Sequence, residues 1–424
     1  MSLQEGPQVR CDVNAMHKIL VVGVTGKGRA GLDPALQARI AAADLLIGRS
    51  RLLAEWPECA GEKLALGANI AEMIERLRAR GEARAVVLCT GDPGLYGIGG
   101  TLARHFGAAE LEIVPAVSSV QLAFARIGLP WDDTAIVSAH GRPLAEVIGW
   151  ARRAAKVAIL TDETNTPGAI ATALLARGIA DCRAVVAERL ELPGERITDT
   201  RLADLPGRDF ASPNLLLLLR DADWRPEPVG IPRPDDAYAH RRGLITKRDV
   251  RALSLSRLML TPIDTVWDIG AGSGAMSIEM AEQAWRGRVY AVERDPECLS
   301  FVRVNCARYG ADNVTVVQGS APAALADLPA PDAVFIGGTG GLMREILQYV
   351  VERARPGCRL ALNLATLEHL TQAQAVLRDL GWAPAIAQVN LAYAEPIAEL
   401  TRLVPANPVF IISAMRPAAT GGND

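Results

Sequence analysis

Three glycines at alternate positions follow an apolar run in the second half of the chain, and a carboxylate lies about twenty residues beyond them. Residues 266–274 read Val-Trp-Asp-Ile-Gly-Ala-Gly-Ser-Gly, and the next apolar run ends at Glu293. Because glycine lacks a Cβ, Gly270, Gly272 and Gly274 let the backbone approach a ligand closely. An acid at the end of the next strand can accept hydrogen bonds from ribose hydroxyls. The pattern therefore predicts a strand–loop–helix cradle for a nucleoside.

The spacing of these glycines distinguishes between cofactors. Dinucleotide folds favour Gly-x-Gly-x-x-Gly, because a pyrophosphate must lie on the helix N-terminus. The tighter Gly-x-Gly-x-Gly of this chain disfavours a dehydrogenase and resembles the first motif of S-adenosylmethionine (SAM) methyltransferases with a Rossmann-like sheet. In that class the loop after the third strand contacts the adenine, which adds three residues to the predicted SAM site: Gly319, Ser320 and Ala321.

A second glycine-rich loop follows the fourth strand of this half. Four of the five residues from Gly337 to Gly341 are glycine, and such a loop is costly to order. Close approach of a large flat substrate, or of the cofactor, explains it better than a turn, which would need one or two glycines. We predict that Gly337, Gly338, Thr339 and Gly340 contact substrate.

Length, charge and cysteine usage exclude several classes of protein. A chain of 424 residues exceeds a single core, so two domains are expected. With 45 basic and 48 acidic residues, the net charge of −3 predicts neither nucleic acid nor a membrane as a partner. The seven cysteines are scattered without a Cys-x-x-Cys pair, which predicts no metal site and a reducing, cytoplasmic location. The polar first sixteen residues are predicted to be a disordered extension rather than a secretory signal.

A proline-rich stretch, residues 224–236, marks a boundary between the halves. Each half alternates apolar strands with amphipathic helices, the pattern of parallel α/β sheets. We predict an extension at 1–16, a first domain at 17–220, a linker at 221–236 and a second domain at 237–424 with a sheet of about seven strands. The run Leu215–Leu219 is too short to cross a bilayer and suits a buried strand.

Residues 238–251 concentrate positive charge in an otherwise balanced chain. One interpretation is a solvated helix face capped by Thr246. The other is a surface that binds substrate carboxylates, through His240, Arg241, Arg242, Lys247 and Arg248. Together with the two glycine loops, this segment resembles the C-terminal module of the decarboxylating precorrin-6Y C5,15-methyltransferases of cobalamin biosynthesis, from Pro234 to about Ser413.

Motifs in the first half point to a different SAM-binding fold. Residues 18–28, 86–97, 115–121, 137–142 and 160–162 combine apolar strands with loops of glycine, hydroxyl and acidic residues. Together they resemble the tetrapyrrole methylases, whose two α/β lobes hold SAM between them. The family's first loop is Gly-x-Gly-Pro-Gly, and the absence of that proline leaves the role of residues 25–28 open. The resemblance implies SAM contacts at Gly91, Asp92, Ser118, Ser119 and Thr161.

Catalytic residues are not identified by these patterns. His140 could move a proton near neutral pH and Arg142 could clamp a carboxylate, yet His140 could equally be a structural loop residue, because no partner carboxylate is identifiable. His240 and Lys247 are the other candidates.

The two resemblances together imply one bifunctional enzyme. The first module would methylate C5 of precorrin-6Y. The second would methylate C15 and decarboxylate the C12 acetate, giving precorrin-8X, with one SAM site per domain in a homo-oligomer. The alternatives are a SAM-dependent methyltransferase acting on RNA or another small molecule, and a non-catalytic tetrapyrrole carrier.

Overall fold

The computed structural model describes residues 17–67, 69–226, 230–241 and 245–417. These residues form two compact units. One comprises 17–142, 154–175 and 180–224, and the other comprises 143–153, 176–179 and the described residues from 225 onward. The predicted extension at 1–16 lies outside the described residues, and the predicted domain boundaries stay predictions.

The first sheet of the first unit is parallel throughout. Its strands are Ile19–Val24 (β1), Leu45–Gly48 (β2), Glu62–Ala65 (β3), Ala85–Thr90 (β4) and Leu111–Val114 (β5), in the spatial order β3-β2-β4-β1-β5. The helices of this stretch are Pro34–Ala41 (α1), Ser50–Leu53 (α2), Ile70–Arg78 (α3), Ile98–His105 (α4) and Ser119–Ile127 (α5). Along β1, Leu20 and Val22 pack in one core cluster whereas Ile19 and Val21 pack in another. Both faces of the sheet are therefore covered, which explains the continuous apolar strand.

The second sheet of this unit is mixed, so the expectation of parallel sheets is wrong here. Its strands are Thr134–Ser138 (β6), Lys156–Leu160 (β7), Arg183–Glu188 (β8), Arg196–Arg201 (β9) and Asn214–Leu219 (β10), in the order β6-β7-β10-β8-β9. Only β6 and β7 pair in parallel. The connection from β8 to β9 is too short for the helical crossover that parallel strands need. The predicted buried strand at Leu215–Leu219 is confirmed, since β10 lies at the centre of the sheet with all five leucines buried. Two helices belong to this stretch of chain, Ala145–Ala151 (α6) and Pro167–Ala176 (α7).

The second unit contains the predicted seven-stranded sheet. The strands of the unit are Thr265–Ile269 (β11), Arg288–Glu293 (β12), Val314–Gln318 (β13), Ala333–Ile336 (β14), Arg359–Leu364 (β15), Ala385–Val389 (β16), Ala392–Ile397 (β17), Leu400–Pro405 (β18) and Val409–Met415 (β19). Seven of them form one sheet in the order β13-β12-β11-β14-β15-β19-β16, in which β19 is antiparallel to both neighbours. The helices are Arg248–Leu258 (α8), Ala275–Gln283 (α9), Pro296–Tyr309 (α10), Met343–Arg353 (α11) and Leu367–Asp379 (α12).

Helix ends show where local patterns suffice. Helix α10 begins at Pro296, Asp295 accepts a hydrogen bond from the Glu297 amide at 2.9 Å, and Gly310 ends the helix at φ 58°. An acidic cap, a proline at the first helical position and a left-handed glycine at the end are all local sequence signals. The interpretation of Thr246 as a helix cap is wrong, because α8 begins at Arg248 and Lys247 occupies the cap position.

The hairpin β17–β18 is an element that the sequence patterns did not indicate. Its two strands pair only with each other, and every residue in them is exposed except the half-buried Val404. Among the described helices, none has the length and apolar character needed to cross a membrane.

Candidate functional site

Each of the three positions after β11 is occupied by glycine for a different structural reason. All three have positive φ, at 74°, 56° and 78°. A Cβ on Gly270 would lie 2.8 Å from the Gly338 carbonyl oxygen, so this glycine lets the two glycine-rich loops touch. A Cβ on Gly274 would press on Val302 of α10 at 3.1 Å, whereas one on Gly272 would meet open space. Of the three, Gly272 is therefore the position that leaves room beside the loop.

Glu293, at the end of β12, is locked in place by backbone amides. One carboxylate oxygen accepts hydrogen bonds from the amides of Arg294 and Asp295 at 2.8 and 2.9 Å, and the other accepts from the Gly272 amide at 2.9 Å. The hydrogen bond from the Gly272 amide ties the glycine loop to this acid. The second oxygen retains a lone pair for a further donor such as a ribose hydroxyl.

A cleft of about 250 Å³ opens at the carboxyl ends of the central strands. Its lining brings together eight predicted residues: Gly270, Glu293, Gly319, Ser320, Ala321, Gly338, Thr339 and Gly340. Gly272, Gly274 and Gly337 are not part of the lining. Apolar walls come from Ile269, Val292, Leu342 and Ile346. A glycine-lined opening beside the Glu293 side chain and apolar walls fits the ribose and adenine of SAM, whereas its lining holds one cation, Arg294, rather than a phosphate-binding pair.

Asp268 is a buried acid of this region that the sequence reading did not single out. It lies in β11 and is fully buried, Ser277 Oγ donates a hydrogen bond to Oδ2, and Oδ1 has no partner within the described chain. Burial raises the pKa of Asp268 to about 7, against the opposing effect of the Ser277 hydrogen bond. The signal available in the sequence was an acid inside an apolar strand.

Asn305 of α10 ties the glycine loop to the segment that precedes the sheet. Its amide nitrogen donates to the carbonyls of Ala239 and Ser273 at 2.8 and 2.9 Å, and its amide oxygen accepts from the Ala239 amide at 2.8 Å. Asn305 is fully buried. The conformation of the glycine loop therefore depends on a residue more than thirty positions away, which no local motif reveals.

A buried ion-pair network holds the same preceding segment. Arg251 of α8 is fully buried and pairs with Glu279 of α9 at 3.0 Å and with Asp235 at 2.8 Å. The Tyr238 hydroxyl also donates to Glu279 at 3.0 Å. Burial raises the pKa of Glu279 although Arg251 opposes that shift. One arginine of the basic segment is thus a structural residue rather than a surface charge.

The predicted carboxylate-binding cations of this segment have partners within the chain. Arg241 pairs with Asp295 at 3.2 Å and also with Glu297, and Lys247 pairs with Asp235 at 3.4 Å. The Arg248 guanidinium donates to the Pro232 carbonyl at 2.7 Å. His240 Nδ1 lies 2.9 Å from the Tyr238 carbonyl oxygen. Arg242 lies outside the described residues. Substrate binding by these residues stays a prediction.

In the first unit, three of the predicted SAM residues brace loops. Asp92 accepts from the amides of Gly94 at 2.7 Å and Ala116 at 3.3 Å, which joins the loops that follow β4 and β5. Ser118 is buried and caps α5 in a reciprocal pair with Gln121. Thr161 Oγ1 lies 2.6 Å from both the carbonyl and the side-chain oxygen of Asn214.

A cavity of about 510 Å³ lies beside these loops. Gly91 and Ser119 line it, whereas Asp92, Ser118 and Thr161 do not. Thr25 and Gly26, from the loop whose role was left open, also line it. Its cations, Arg49 and Arg51, were missed because exposed arginines have no distinguishing sequence pattern.

His140 and Arg142 occupy a loop of the second sheet. His140 is exposed, and the amide of the next residue, Gly141, donates to Asp162 at 2.6 Å. That bond, with others from nearby amides, lowers the pKa of Asp162. Within the described chain no hydrogen bond reaches the His140 ring, and the Arg142 guanidinium lies 5.3 Å from the Tyr96 ring centroid. No group of three potential metal ligands occurs among the described residues.

Family models match both halves of the chain. Residues 18–206 match the model described as tetrapyrrole (corrin/porphyrin) methylases, and residues 236–416 match the model described as precorrin methyltransferase domain.

Curated relatives match the whole chain or part of it. A precorrin-6Y C(5,15)-methyltransferase (decarboxylating) of Sinorhizobium sp is 36% identical over 403 residues, covering 92% of this chain and 94% of that protein. A cobalt-precorrin-7 C(5)-methyltransferase of Salmonella typhimurium is 39% identical over 180 residues, 42% of this chain and 88% of that protein. A probable cobalt-precorrin-6B C(15)-methyltransferase (decarboxylating) of Methanothermobacter thermautotrophicus is 35% identical over 182 residues, 42% of this chain and 94% of that protein. With a full-length relative at this identity and both domain models matched, the chain belongs to the family of decarboxylating precorrin-6Y C5,15-methyltransferases.

Proposed function

We propose that this enzyme transfers two methyl groups from SAM to precorrin-6Y, at C5 and C15, and removes carbon dioxide from the C12 acetate arm, giving precorrin-8X. The observation that carries the proposal is the presence of a separate loop-lined cavity in each of two units whose family models are both tetrapyrrole methyltransferases. A methyltransferase that shared only the seven-stranded sheet would leave the first unit unexplained.

We assign one SAM site to each unit. In the second, Glu293 would hold the ribose, while the loops at Gly270 and Gly338 would follow the ligand closely and the walls at Leu342 and Ile346 would exclude water. In the first, Gly91 and Ser119 line the cavity, and Asp92 keeps its loops together. Bound SAM supplies an electrophilic methyl group on a sulfonium. Transfer of the methyl group leaves a neutral thioether.

The protein's task in this reaction is alignment in a dry site rather than nucleophilic attack. The attacking atom is an electron-rich carbon of the macrocycle, so no protein nucleophile is needed. When carbon dioxide leaves the acetate arm, the electrons of the broken carbon–carbon bond pass into the conjugated ring, where a proton is taken up. His140, His240 and Lys247 remain the candidates for moving that proton.

The division of labour is the finer part of the proposal. The first unit would methylate C5, and the second would methylate C15 and decarboxylate. The names of the two half-length relatives support this, because one is called a C(5)-methyltransferase and the other a decarboxylating C(15)-methyltransferase.

The function is tested by incubating the full chain with labelled SAM and precorrin-6Y. The expected product has gained two methyl groups and lost one carbon dioxide by mass spectrometry. A carrier would transfer no label, and an RNA methyltransferase would label added RNA instead; either result would overturn the proposal.

We also propose that the enzyme is a homo-oligomer and works in the cytoplasm. The exposed hairpin β17–β18 supports self-association, because an isolated two-stranded ribbon is marginally stable in water and Leu400 and Leu403 are 74% and 71% exposed. Light scattering should show that Leu400→Glu with Leu403→Glu lowers the molar mass, whereas Ile263→Glu, at a similarly exposed turn, does not. A wild-type monomer would refute self-association.

A further inference from the structure

The cavity of the first unit contains the two arginines that the sequence reading missed. Arg49 directly follows β2, at the carboxyl edge of the parallel sheet, and Arg51 is the second residue of α2. Both line the cavity together with Gly91 and Ser119. They are therefore in the same space as two of the predicted SAM contacts.

The two guanidinium groups have no partner in the part of the chain that the structure describes. Neither makes a hydrogen bond or ion pair with any residue that the structure describes. Arg241, Lys247 and Arg248 of the second unit differ, since each is already engaged by an acid or a carbonyl of its own chain. A cation without a partner can bind an incoming carboxylate without first breaking an internal contact.

The backbone that carries these arginines is rigid although their side chains are exposed. The Arg49 carbonyl accepts hydrogen bonds from the amides of Leu52 and Leu53 at 2.8 and 3.1 Å. Both leucines are buried in the core of the first sheet, with 1% and 7% exposure. The two charges are thus anchored at a fixed edge of the cavity, and only their side chains need to be ordered on binding.

The charge balance of the lining selects the class of ligand. Two arginines and no aspartate or glutamate line this cavity, and its walls are apolar at Val117, Leu122 and Leu190. SAM carries two positive groups and only one carboxylate, so two arginines exceed what the donor in this cavity would need. An apolar ring with acidic arms satisfies both the walls and the arginines.

We propose that Arg49 and Arg51 bind carboxylate arms of the tetrapyrrole and determine its placement in the first unit. This inference rests on the proposed function, because it deepens the substrate recognition of that same cavity. The guanidinium geometry allows each arginine to hold one carboxylate through two parallel hydrogen bonds.

The test is a binding measurement on the full chain with uroporphyrin, a stable macrocycle that carries acetate and propionate arms. Fluorescence titration should show that Arg49→Ala and Arg51→Ala each raise the Kd roughly fivefold, and that the double variant raises it roughly thirtyfold. The double variant should also flatten the dependence of Kd on salt. Lysine at either position should retain part of the affinity, because the charge stays but the two-bond geometry is lost.

Two controls distinguish substrate binding from other roles. Arg78→Ala removes an exposed arginine of α3 that is likewise free of described partners and should leave the Kd unchanged. SAM binding by the Arg49/Arg51 double variant, measured by calorimetry, should match the wild type. An unchanged uroporphyrin Kd in the double variant, or an equal loss of SAM affinity, would overturn the inference.

Failure of this inference and failure of the proposed function are separable. In methyl-transfer assays the double variant should raise KM for the precorrin with little change in kcat. If the wild type methylates the precorrin but the double variant keeps its KM, the arginine assignment is wrong and the function stands. If the wild type transfers no methyl group, the proposed function is wrong whatever the porphyrin titration shows.

Discussion

The cavities of the two units differ in the charges that line them. In the second unit the acid Glu293 is fixed by three backbone amides and lines the cleft together with a single cation, Arg294. In the first unit the cavity has no acid in its lining and two arginines that have no partner among the described residues. Under the proposed function, the second cleft would offer a fixed carboxylate to the donor, whereas the first cavity would offer two cations to the substrate.

The largest effect is expected from a substitution that blocks the proposed SAM site of the second unit and leaves that of the first unit intact. Gly272→Leu places a side chain in the open space beside the loop, at φ 56°, where no protein atom lies within 4 Å. We expect SAM stoichiometry to fall from two to one per chain by calorimetry, with at least about a hundredfold loss of affinity in the second unit. Gly357→Leu, at φ 76° with equally open surroundings, controls for backbone strain. Two remaining equivalents in Gly272→Leu would show that the donor does not occupy the space beside Gly272.

Replacing Asp268, the buried acid of the second unit, should have a smaller effect, which we expect in the pH dependence of stability. The folded pKa of Asp268 is about 7, above its ordinary value of 3.8, so the protonated side chain favours folding at low pH. That contribution is complete below the unfolded pKa and is lost as the pH rises through 7.

Asp268→Asn stays neutral at every pH and should escape this loss. The free energy of unfolding of the variant should gain about 3 kcal/mol relative to the wild type between pH 5 and pH 8. Urea unfolding of both proteins at each pH measures this, with the exposed Asp379→Asn as control. Parallel pH profiles for Asp268→Asn and wild type would contradict the assignment.

Replacing Asn305, which holds the glycine loop in place, should lower both the stability of the protein and its affinity for SAM. Asn305→Ala leaves the Ala239 and Ser273 carbonyls without their donor in a buried place. We expect a loss of about 2 kcal/mol in unfolding free energy and roughly tenfold weaker SAM binding in the second unit only. Equal weakening in both units would show that the effect is global rather than local to this loop.

Replacing Asp92, which joins two loops of the first unit, should have the smallest effect. Asp92→Ala releases the amides of Gly94 and Ala116, which are partly solvated and can bind water. We expect about 1 kcal/mol less stability and a few-fold weaker SAM binding in the first unit, with the second unit unchanged. Calorimetry in the Gly272→Leu background isolates this site.

Local chemistry was predictable from sequence, and tertiary contacts were not. Gly270 and Glu293 were predicted from a short motif and a strand-to-loop position and both line the cleft, and the two ends of α10 follow from local capping residues. The buried pairing of Arg251 with Glu279 was not, since its partners come from different helices and resemble surface charges in sequence. The antiparallel pairing of β8, β9 and β10 was also missed, because alternation of strands and helices does not determine strand direction.

The hydrogen bonds between Asn305 and Ala239 affect where the chain can be divided into separately expressed fragments. Asp235, Tyr238 and Ala239 all bond to helices of the seven-stranded domain although they precede it in the chain. A separately expressed methyltransferase fragment must therefore start upstream of Pro232. A fragment that lacks these residues would leave the buried Arg251 and Glu279 without two of their partners, and the glycine loop without its anchor.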